Sequence, residues 1–243
     1  MSDLRFFESN PLADANNNML ITSDSDFLPS DLANLKAWYQ FNTGITVTGA
    51  GVSTWADQSG NGNDLLQSTD TNRPSKEANG TILFDGVDNF LRAASVTLTQ
   101  PVTIYLIFKQ VTWTSADYFY TGTDGTNGLL LQQFYSTGDA TPDIRMYSGA
   151  NGPEYRTYAL DTYGVTGSVF NTTSSTLFVN GSSVDTGSVG TTNGTEIILG
   201  AANSSAGNAA NIQVAEMLVY TAAHGADEAA QVNTYGQSII AGL

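Results

Sequence analysis

The sequence predicts an all-β sandwich with one short C-terminal helix, and three observations lead to that prediction. Only 13% of the 243 residues are charged, about half the share in an average soluble domain, so Ser, Thr, Asn and Gly must supply most of the polar surface. That mix favours strands joined by tight turns, because Ser and Asn compete with the helix backbone and Gly permits positive φ. Short apolar runs separated by turn clusters recur from about residue 31 onward. An amphipathic helical pattern follows only near the C-terminus.

The clearest predicted strand covers residues 102–108, which are β-branched, aromatic and apolar on both faces. A strand held between two layers needs that composition. The other predicted strands cover residues 36–41, 81–84, 118–121, 129–135, 144–147, 155–160, 176–179, 196–199 and 212–220. Asn-Gly and Asp-Gly pairs between the runs are typical of hairpin turns. About a dozen short strands with such turns indicate a sandwich.

The predicted helix covers residues 225–240. Gly225 is the expected N-cap, and Glu228 stands at the favoured third helical position. Four side chains at i, i+3, i+4 and i+7 are expected to form a buried stripe against the sandwich: Val232, Tyr235, Gly236 and Ile239.

Residues 1–30 differ from the rest and predict an extended N-terminal arm or anchor segment before a single domain at residues 31–243. The pair Phe6 and Phe7 predicts that the arm docks on a partner, and a partly disordered leader is the alternative. The start of the chain lacks a basic stretch followed by an apolar core, so we expect no signal peptide. No apolar run approaches the length needed to span a bilayer.

The formal charge is −15, from 23 acidic and 8 basic side chains. Such a chain repels phosphate backbones and anionic membranes, so we expect neither nucleic acid nor membrane as a partner. Positive partners, calcium and neutral sugars remain open. The chain has no cysteine, which excludes disulfides, thiolate metal sites and a cysteine nucleophile but leaves the compartment open.

Four motifs carry a resemblance to a known family. Residues 55–65, WADQSGNGNDL, are similar to the W-x-D-x-S-G-N-G-N-D signature of laminin-G-like domains in the concanavalin A superfamily. Residues 84–91, FDGVDNFL, resemble the F-D-G-V-D-D-Y-L turn of that group, and residues 177–181, LFVNG, resemble its L-Y-V-N-G hairpin. Residues 216–220, EMLVY, resemble its closing strand before a helix. The ordered set implies a concanavalin A-like jelly-roll β-sandwich.

The resemblance implies function less directly, because this fold hosts lectins, glycan hydrolases, adhesins and spacers. Such domains also occur in phage virion proteins. The leading expectation is a non-enzymatic virion structural protein, such as a capsid decoration, head fibre or adhesin. It would be a homo-oligomer on the virion surface, attached to other virion proteins through residues 1–30 and able to bind cell-surface glycans. The alternative is a carbohydrate-binding module of a bacterial surface or extracellular protein.

A glycan hydrolase is the third hypothesis, because relatives of this kind include glycosidases. Such enzymes hold two carboxylates roughly 5–10 Å apart across a cleft, which on a strand means acidic residues two or four positions apart. The candidate acids have no such neighbour: Glu77, Glu154, Glu196 and Glu216. The only histidine, His224, is expected to be an exposed turn residue. We therefore predict no catalytic residue.

Calcium is the one candidate cofactor. Asp57, Ser59 and Asn61 place oxygen ligands at positions 1, 3 and 5 of a loop with Gly62 at position 6, as a calcium loop begins. A serine stands where the closing glutamate belongs, so Asp64 is the candidate substitute. The alternative is that these side chains cap their own turn through Asx-type hydrogen bonds.

Sugar binding needs exposed aromatic faces beside hydrogen-bonding groups, because sugar rings stack while their hydroxyls need polar partners. The candidates lie on or near strands expected to line the concave face of the sandwich: Trp113, Tyr118, Tyr120, Tyr147 and Tyr155. About half of the strand aromatics are expected to belong to the core instead, as aromatic residues often do.

Overall fold

Two antiparallel β-sheets make up most of the chain in the computed structural model, which describes residues 27–125, 128–134 and 142–243. In chain order the strands are β1 (Leu35–Tyr39), β2 (Ile45–Thr48), β3 (Gly51–Trp55), β4 (Leu65–Leu66), β5 (Ser75–Lys76), β6 (Ile82–Asp85), β7 (Leu91–Ala93), β8 (Val102–Gln110), β9 (Tyr118–Thr121), β10 (Leu130–Phe134), β11 (Asp143–Tyr147), β12 (Asn151–Tyr155), β13 (Gly164–Phe170), β14 (Ser175–Val179), β15 (Ser182–Gly187), β16 (Ile197–Leu199) and β17 (Asn211–Tyr220). The helix α1 (Ala226–Ile240) follows them. The predicted all-β jelly-roll sandwich with a C-terminal helix is confirmed.

The strands form two sheets, which we call the helix-side sheet, because α1 packs on it, and the open sheet. The helix-side sheet has the order β15-β14-β13-β8-β17-β6-β5. On the edge of β17 that faces away from β8, β6 pairs with residues 211–214 and β1 pairs with residues 217–220. The open sheet has the order β12-β11-β10-β9-β16-β7-β4-β3-β2. Neighbours that are distant in sequence, such as β8 beside β17, show that the pairing is largely non-local.

The main core lies between the two sheets. Its fully buried rings include Tyr39, Trp55, Phe84, Phe108 and Phe119. The rings of Phe108 and Phe119 come from opposite sheets, and their centroids are 4.8 Å apart. Burial of one large apolar side chain is worth about 1.5–3 kcal/mol, so this layer holds the sheets face to face.

A second apolar layer lies between the helix-side sheet and α1. The predicted helical stripe is confirmed, because Val232 and Gly236 are buried and Tyr235 and Ile239 pack against the same layer. The Glu228 carboxylate accepts a 2.8 Å hydrogen bond from the Gly225 amide, which closes the first turn. The helix has 15 residues; neither it nor any other helix of the described chain could cross a bilayer.

The first described residues, Phe27 to Pro29, lie on this same side of the sandwich. The ring of Phe27 stands edge-on against Tyr235, with centroids 6.1 Å apart, and the Tyr220 hydroxyl donates a 2.9 Å hydrogen bond to the carbonyl of Pro29. Most of the predicted arm, including Phe6 and Phe7, lies outside the described residues. The domain boundary near residue 30 therefore stays a prediction.

One predicted strand needs correction, and several short strands and the long strand β13 were not predicted. The run predicted at 155–160 instead ends at Tyr155, because positive φ at Thr157 (+71°) breaks the extended backbone. Strand β13 was not predicted, since its sequence, GVTGSVF, contains two glycines and two hydroxyl residues. It is buried along its whole length, and Gly167 leaves room for Tyr105, whose Cε1 would lie 2.6 Å from an added Cβ.

Candidate functional site

A polar and aromatic surface lies on the outer side of the open sheet. Tyr118, Gln132, Arg145 and Glu154 stand opposite one another across β9, β10, β11 and β12, and Tyr147 lies two residues beyond Arg145 on the same side. We call these five residues the tyrosine–arginine face. Their neighbours along three of the strands turn into the main core: Phe119, Leu131 and Met146. Alternation along a strand therefore directs the five outward.

Tyr118 and Tyr147 form the aromatic part of this face. They pack together over Leu130. Tyr118 is 7% exposed, whereas Tyr147 is half-buried and presents more of its ring. Neither hydroxyl makes a hydrogen bond to any residue of the described chain. Burial, and then the neighbouring Tyr147 hydroxyl, raise the pKa of Tyr118, so it stays protonated and can donate a hydrogen bond.

Arg145 supplies the positive charge. Its guanidinium carbon lies 3.4 Å from the ring centroid of Phe134, within the range of a cation–π contact. The Nε atom is buried and has no hydrogen-bond partner among the described residues. Partial burial lowers the pKa of Arg145, and the nearby Glu154, Tyr118 and Tyr147 oppose that effect. The guanidinium is thus partly desolvated without being paired.

The predicted sugar-binding residues do not all meet here. Tyr118 and Tyr147 do, but Tyr120 is fully buried in the main core. Its proposed stacking on a sugar is corrected, because a bulge in the pairing of β9 with β10 interrupts the alternation and turns Tyr120 inward. Tyr155 packs against the main core from the edge strand. Trp113 is half-buried in the β8–β9 connection and donates a 3.3 Å hydrogen bond to the Asp143 carbonyl.

Sequence reasoning missed Gln132, Arg145 and Glu154. One local signal existed, because Arg145 and Tyr147 are two residues apart in an alternating run and must share a side of the strand. The placement of Gln132 and Glu154 beside them depends on the register of four strands, which no local pattern contains.

The Asp57 loop has the geometry of a capped turn. The Oδ1 atom of Asp57 accepts hydrogen bonds from the Trp38 amide (2.9 Å) and the Ser59 amide (2.8 Å). Its Oδ2 atom accepts from the Ser59 hydroxyl (2.8 Å) and the Asn63 amide (3.0 Å). One oxygen of Asp64 accepts from the Asp57 amide at 2.9 Å. The carboxylate of Asp57 thus ties the loop to itself and to β1.

This donor set does not suit calcium in the observed conformation. Both oxygens of Asp57 already accept two hydrogen bonds each, and Asn61 directs its Nδ2 group to the carbonyls of Leu35 and Lys36. Within the described ranges no three acidic or histidine side chains form a group that could hold a metal. The Asx-type alternative accounts for these contacts, and the calcium site stays a prediction.

We expect Asp57→Asn to lower the free energy of unfolding by about 1–3 kcal/mol, because one acceptor oxygen becomes a donor facing backbone N–H groups. Urea unfolding in EDTA and again in millimolar calcium checks this. The loss should be equal in the two buffers. A loss confined to the calcium-containing buffer would contradict a purely structural role and restore the calcium prediction.

A cleft of about 350 Å³ opens at the β7 and β16 end of the open sheet, between Arg92, Ser95, Thr97 and Glu196. Its charges are already paired. The Nε of Arg92 lies 2.5 Å from the Glu196 carboxylate, and its Nη2 lies 3.9 Å from Asp124. This cleft therefore has less unsatisfied bonding capacity than the tyrosine–arginine face.

Glu216, one of the four candidate acids for a hydrolase, lies in the helix-side sheet, on the other side of the molecule. It is fully buried under α1 and accepts hydrogen bonds from Trp38 Nε1 (2.7 Å), the Phe41 amide (2.8 Å) and the Tyr235 hydroxyl (2.8 Å). Burial raises the pKa of Glu216 to about 7, and the three hydrogen bonds act against that rise. The arrangement ties β1, β17 and α1 together and gives a glycan no access to the carboxylate.

His224 is not the exposed turn residue predicted from sequence. It is 8% exposed, with Nδ1 3.1 Å from the Tyr105 hydroxyl and its ring 4.4 Å from that of Tyr220. Its amide donates to the Thr103 hydroxyl, so the turn is drawn into the second apolar layer. Burial lowers the pKa of His224, which favours the neutral ring.

Fold and surface together define a β-sandwich with one helix-covered sheet and one sheet whose outer side carries an aromatic and cationic patch. No family model matches the chain, and no curated protein does. Among solved structures it is similar to domain 4 of AbnA, an extracellular GH43 arabinanase from Geobacillus stearothermophilus solved with arabinotriose. The TM-score is 0.55 at 14% identity, over 82% of this chain and 98% of that one.

It is also similar to the binding domain of Paraclostridial Mosquitocidal Protein 1 (TM-score 0.57, 14% identity, 86% of this chain) and to Trypanosoma rangeli sialidase solved with sialic acid (TM-score 0.58, 12% identity, 86% of this chain). The matched region spans 53% of the first of these chains and 34% of the second. Likeness at such identities shows the fold alone. It supports the sandwich that the laminin-G-like motifs predicted, while the family and the phage context stay predictions.

Proposed function

We propose that this chain is a non-enzymatic carbohydrate-binding domain whose ligand lies on the tyrosine–arginine face. One observation carries the proposal: two adjacent outward tyrosines, with hydroxyls that bond no described residue, stand beside Gln132, Arg145 and Glu154. The partly exposed ring of Tyr147 offers a face for sugar C–H groups, while the guanidinium and carboxylate groups offer partners for hydroxyls.

The comparisons support the proposal by analogy. The AbnA domain was solved with arabinotriose, and the sialidase was solved with sialic acid. Because one fold hosts many functions, the argument for this chain rests on its own surface. Tyr118 and Gln132 are only 7% and 6% exposed, whereas Arg145, Tyr147 and Glu154 are partly exposed, so we expect a glycan to contact mainly these three, with modest affinity.

Tyr147→Ala should weaken glycan binding about tenfold or more, since a stacking ring and a hydroxyl are lost together. Glycan-array screening of the wild type identifies the ligand, and isothermal titration of both proteins against it measures the change. The control is Leu66→Ala, which removes an exposed apolar side chain from β4 of the same sheet and should leave affinity unchanged. Equal affinities of Tyr147→Ala and wild type, or an array without any bound glycan, would refute the proposal.

Display on a virion is the finer form of this proposal. Phe27 and Pro29 contact the helix side, whereas the tyrosine–arginine face lies on the outer side of the other sheet. A partner that held residues 1–30 would therefore leave the face directed outward. Deleting residues 1–26 should abolish incorporation into virions, or association with the cell surface in the bacterial alternative, while glycan affinity is retained. Unchanged incorporation would remove the anchoring role.

A further inference from the structure

We infer that the glycan carries a carboxylate, and that Arg145 recognises it as the specificity-determining residue. This inference rests on the proposed function and adds the chemical class of the ligand to it. Acidic sugars such as uronic and sialic acids share the carboxylate group that a guanidinium binds best, through two parallel hydrogen bonds.

The first argument comes from the ion pairs. The chain has 23 acidic residues and only 8 basic ones, so acidic side chains are abundant enough to pair with every arginine. The other described arginines each have an acidic partner: Arg73 with Asp70, Arg92 with Glu196 and Arg156 with Glu154. Arg145 forms no ion pair within 4.0 Å in the described part of the chain, although it stands opposite Glu154 in the sheet.

The second argument comes from desolvation. The Nε atom of Arg145 is buried and unsatisfied among the described residues, and one face of the guanidinium is covered by the Phe134 ring. Leaving such a group unpaired costs free energy in the free protein, and an incoming anion recovers it. The same contact with Phe134 fixes the plane of the fork in advance, so less conformational entropy is lost on binding.

The third argument comes from the surrounding groups. Tyr118 and Tyr147 lie near enough to Arg145 to affect its pKa, and both bear hydroxyls that bond no described residue. A carboxylate bound by Arg145 would place its sugar ring beside these tyrosines. A site built for a charged group discriminates strongly against an analogue that lacks it, because its own polar group is then left unpaired.

The test uses matched pairs of ligands that differ only in the charge: trigalacturonic acid against its methyl ester, and 3′-sialyllactose against its methyl ester. Isothermal titration at physiological salt, where the Debye length is about 8 Å, limits general repulsion by the acidic chain. The wild type should bind at least one acid about 10–100-fold more tightly than its ester. In Arg145→Gln the acid and the ester should bind within about twofold of each other.

Two controls separate this role from a structural one. Arg92→Gln removes a paired arginine from the same sheet and should keep the preference for the acid. Tyr147→Ala should weaken acid and ester alike and leave their ratio unchanged. If Arg145→Gln fails to fold, Arg145→Lys retains the charge without the planar fork and should lower the ratio partway.

The outcomes distinguish the two proposals. Equal binding of acid and ester by the wild type, or an unchanged preference in Arg145→Gln, would overturn this inference and leave carbohydrate binding in place. Binding of neutral glycans alone would do the same. If the wild type binds neither the acids, the esters nor any neutral glycan, the proposed function fails and this inference fails with it.

Discussion

Glu216→Ala should lower the free energy of unfolding by about 3–5 kcal/mol, among the largest effects that a single substitution has. The change removes the acceptor for Trp38 Nε1, the Phe41 amide and the Tyr235 hydroxyl at once. Each buried donor left without a partner costs about 1–3 kcal/mol, and the truncated side chain leaves a cavity as well. Urea unfolding followed by circular dichroism measures the loss.

Glu216 should also make stability depend on pH. Its pKa is about 7 in the fold against 4.5 for an ordinary glutamate, so between these values the folded protein holds a proton that the unfolded chain has released. Stability therefore falls as the pH rises from about 4.5 to about 7, by at most about 1.4 kcal/mol per pH unit. Below this range the contribution of Glu216 is fully present.

Glu216→Gln isolates that dependence, because glutamine keeps the size and cannot ionise. The stability difference between wild type and Glu216→Gln should be largest near pH 4.5 and should shrink as the pH approaches 7. Glu77→Gln is the control, since Glu77 is a partly exposed carboxylate elsewhere. A difference that stays constant with pH would mean that Glu216 binds its proton equally well in the folded and unfolded states.

Gly200→Ala is the second substitution with a large expected effect, about 2–5 kcal/mol. Gly200 has φ of +93°, which costs a residue with a Cβ about 1–2 kcal/mol. The added Cβ would overlap Cδ1 of Phe84 and lie 2.7 Å from Cε1 of that fully buried ring. Overpacking of a core costs a further 1–3 kcal/mol, about as much as the backbone strain or more. Thermal and urea unfolding both report the change.

Gly60→Ala separates the two causes. Gly60 also has positive φ (+84°), but an added Cβ would meet no atom within 4 Å. The loss of unfolding free energy in Gly60→Ala should therefore equal the cost of backbone strain alone. The additional loss in Gly200→Ala then measures the steric clash with Phe84. Adding Phe84→Leu to Gly200→Ala should recover part of that excess. Equal losses of unfolding free energy in the two variants would show that the core around Phe84 accommodates the added methyl group without a free-energy penalty.

Local sequence pattern places only some residues of the candidate site. Period-2 alternation within β9 assigns Tyr120 to the same side of the strand as Tyr118. The bulge opposite Leu131 and Gln132 places Tyr120 in the core instead. Bulges depend on how two strands pair rather than on the composition of either one. For the same reason the neighbours of Arg145 across the sheet could not be read from its own strand.

Burial of polar residues was equally hidden from the sequence. His224 and Glu216 have polar side chains that normally lie at a surface, yet both lie in the layer under α1. Their partners are far away in the chain: Tyr105 and Thr103 for the histidine, Trp38 and Phe41 for the glutamate. Only the packing of α1 and β1 on the helix-side sheet brings donors to these two residues.

Local sequence pattern was sufficient to predict the fold class, the central strand β8, the Asn180-Gly181 hairpin and the C-terminal helix with its buried stripe. These features follow from composition, from periods of 2 and 3.6, and from the φ angles that glycine and asparagine tolerate. Only the packed structure shows which sheet the helix covers, which tyrosines face outward and which of the described arginines has no acidic partner among the described residues. Those properties arise from strand register and from contacts between residues far apart in the chain, and both are set only when the two sheets pack together.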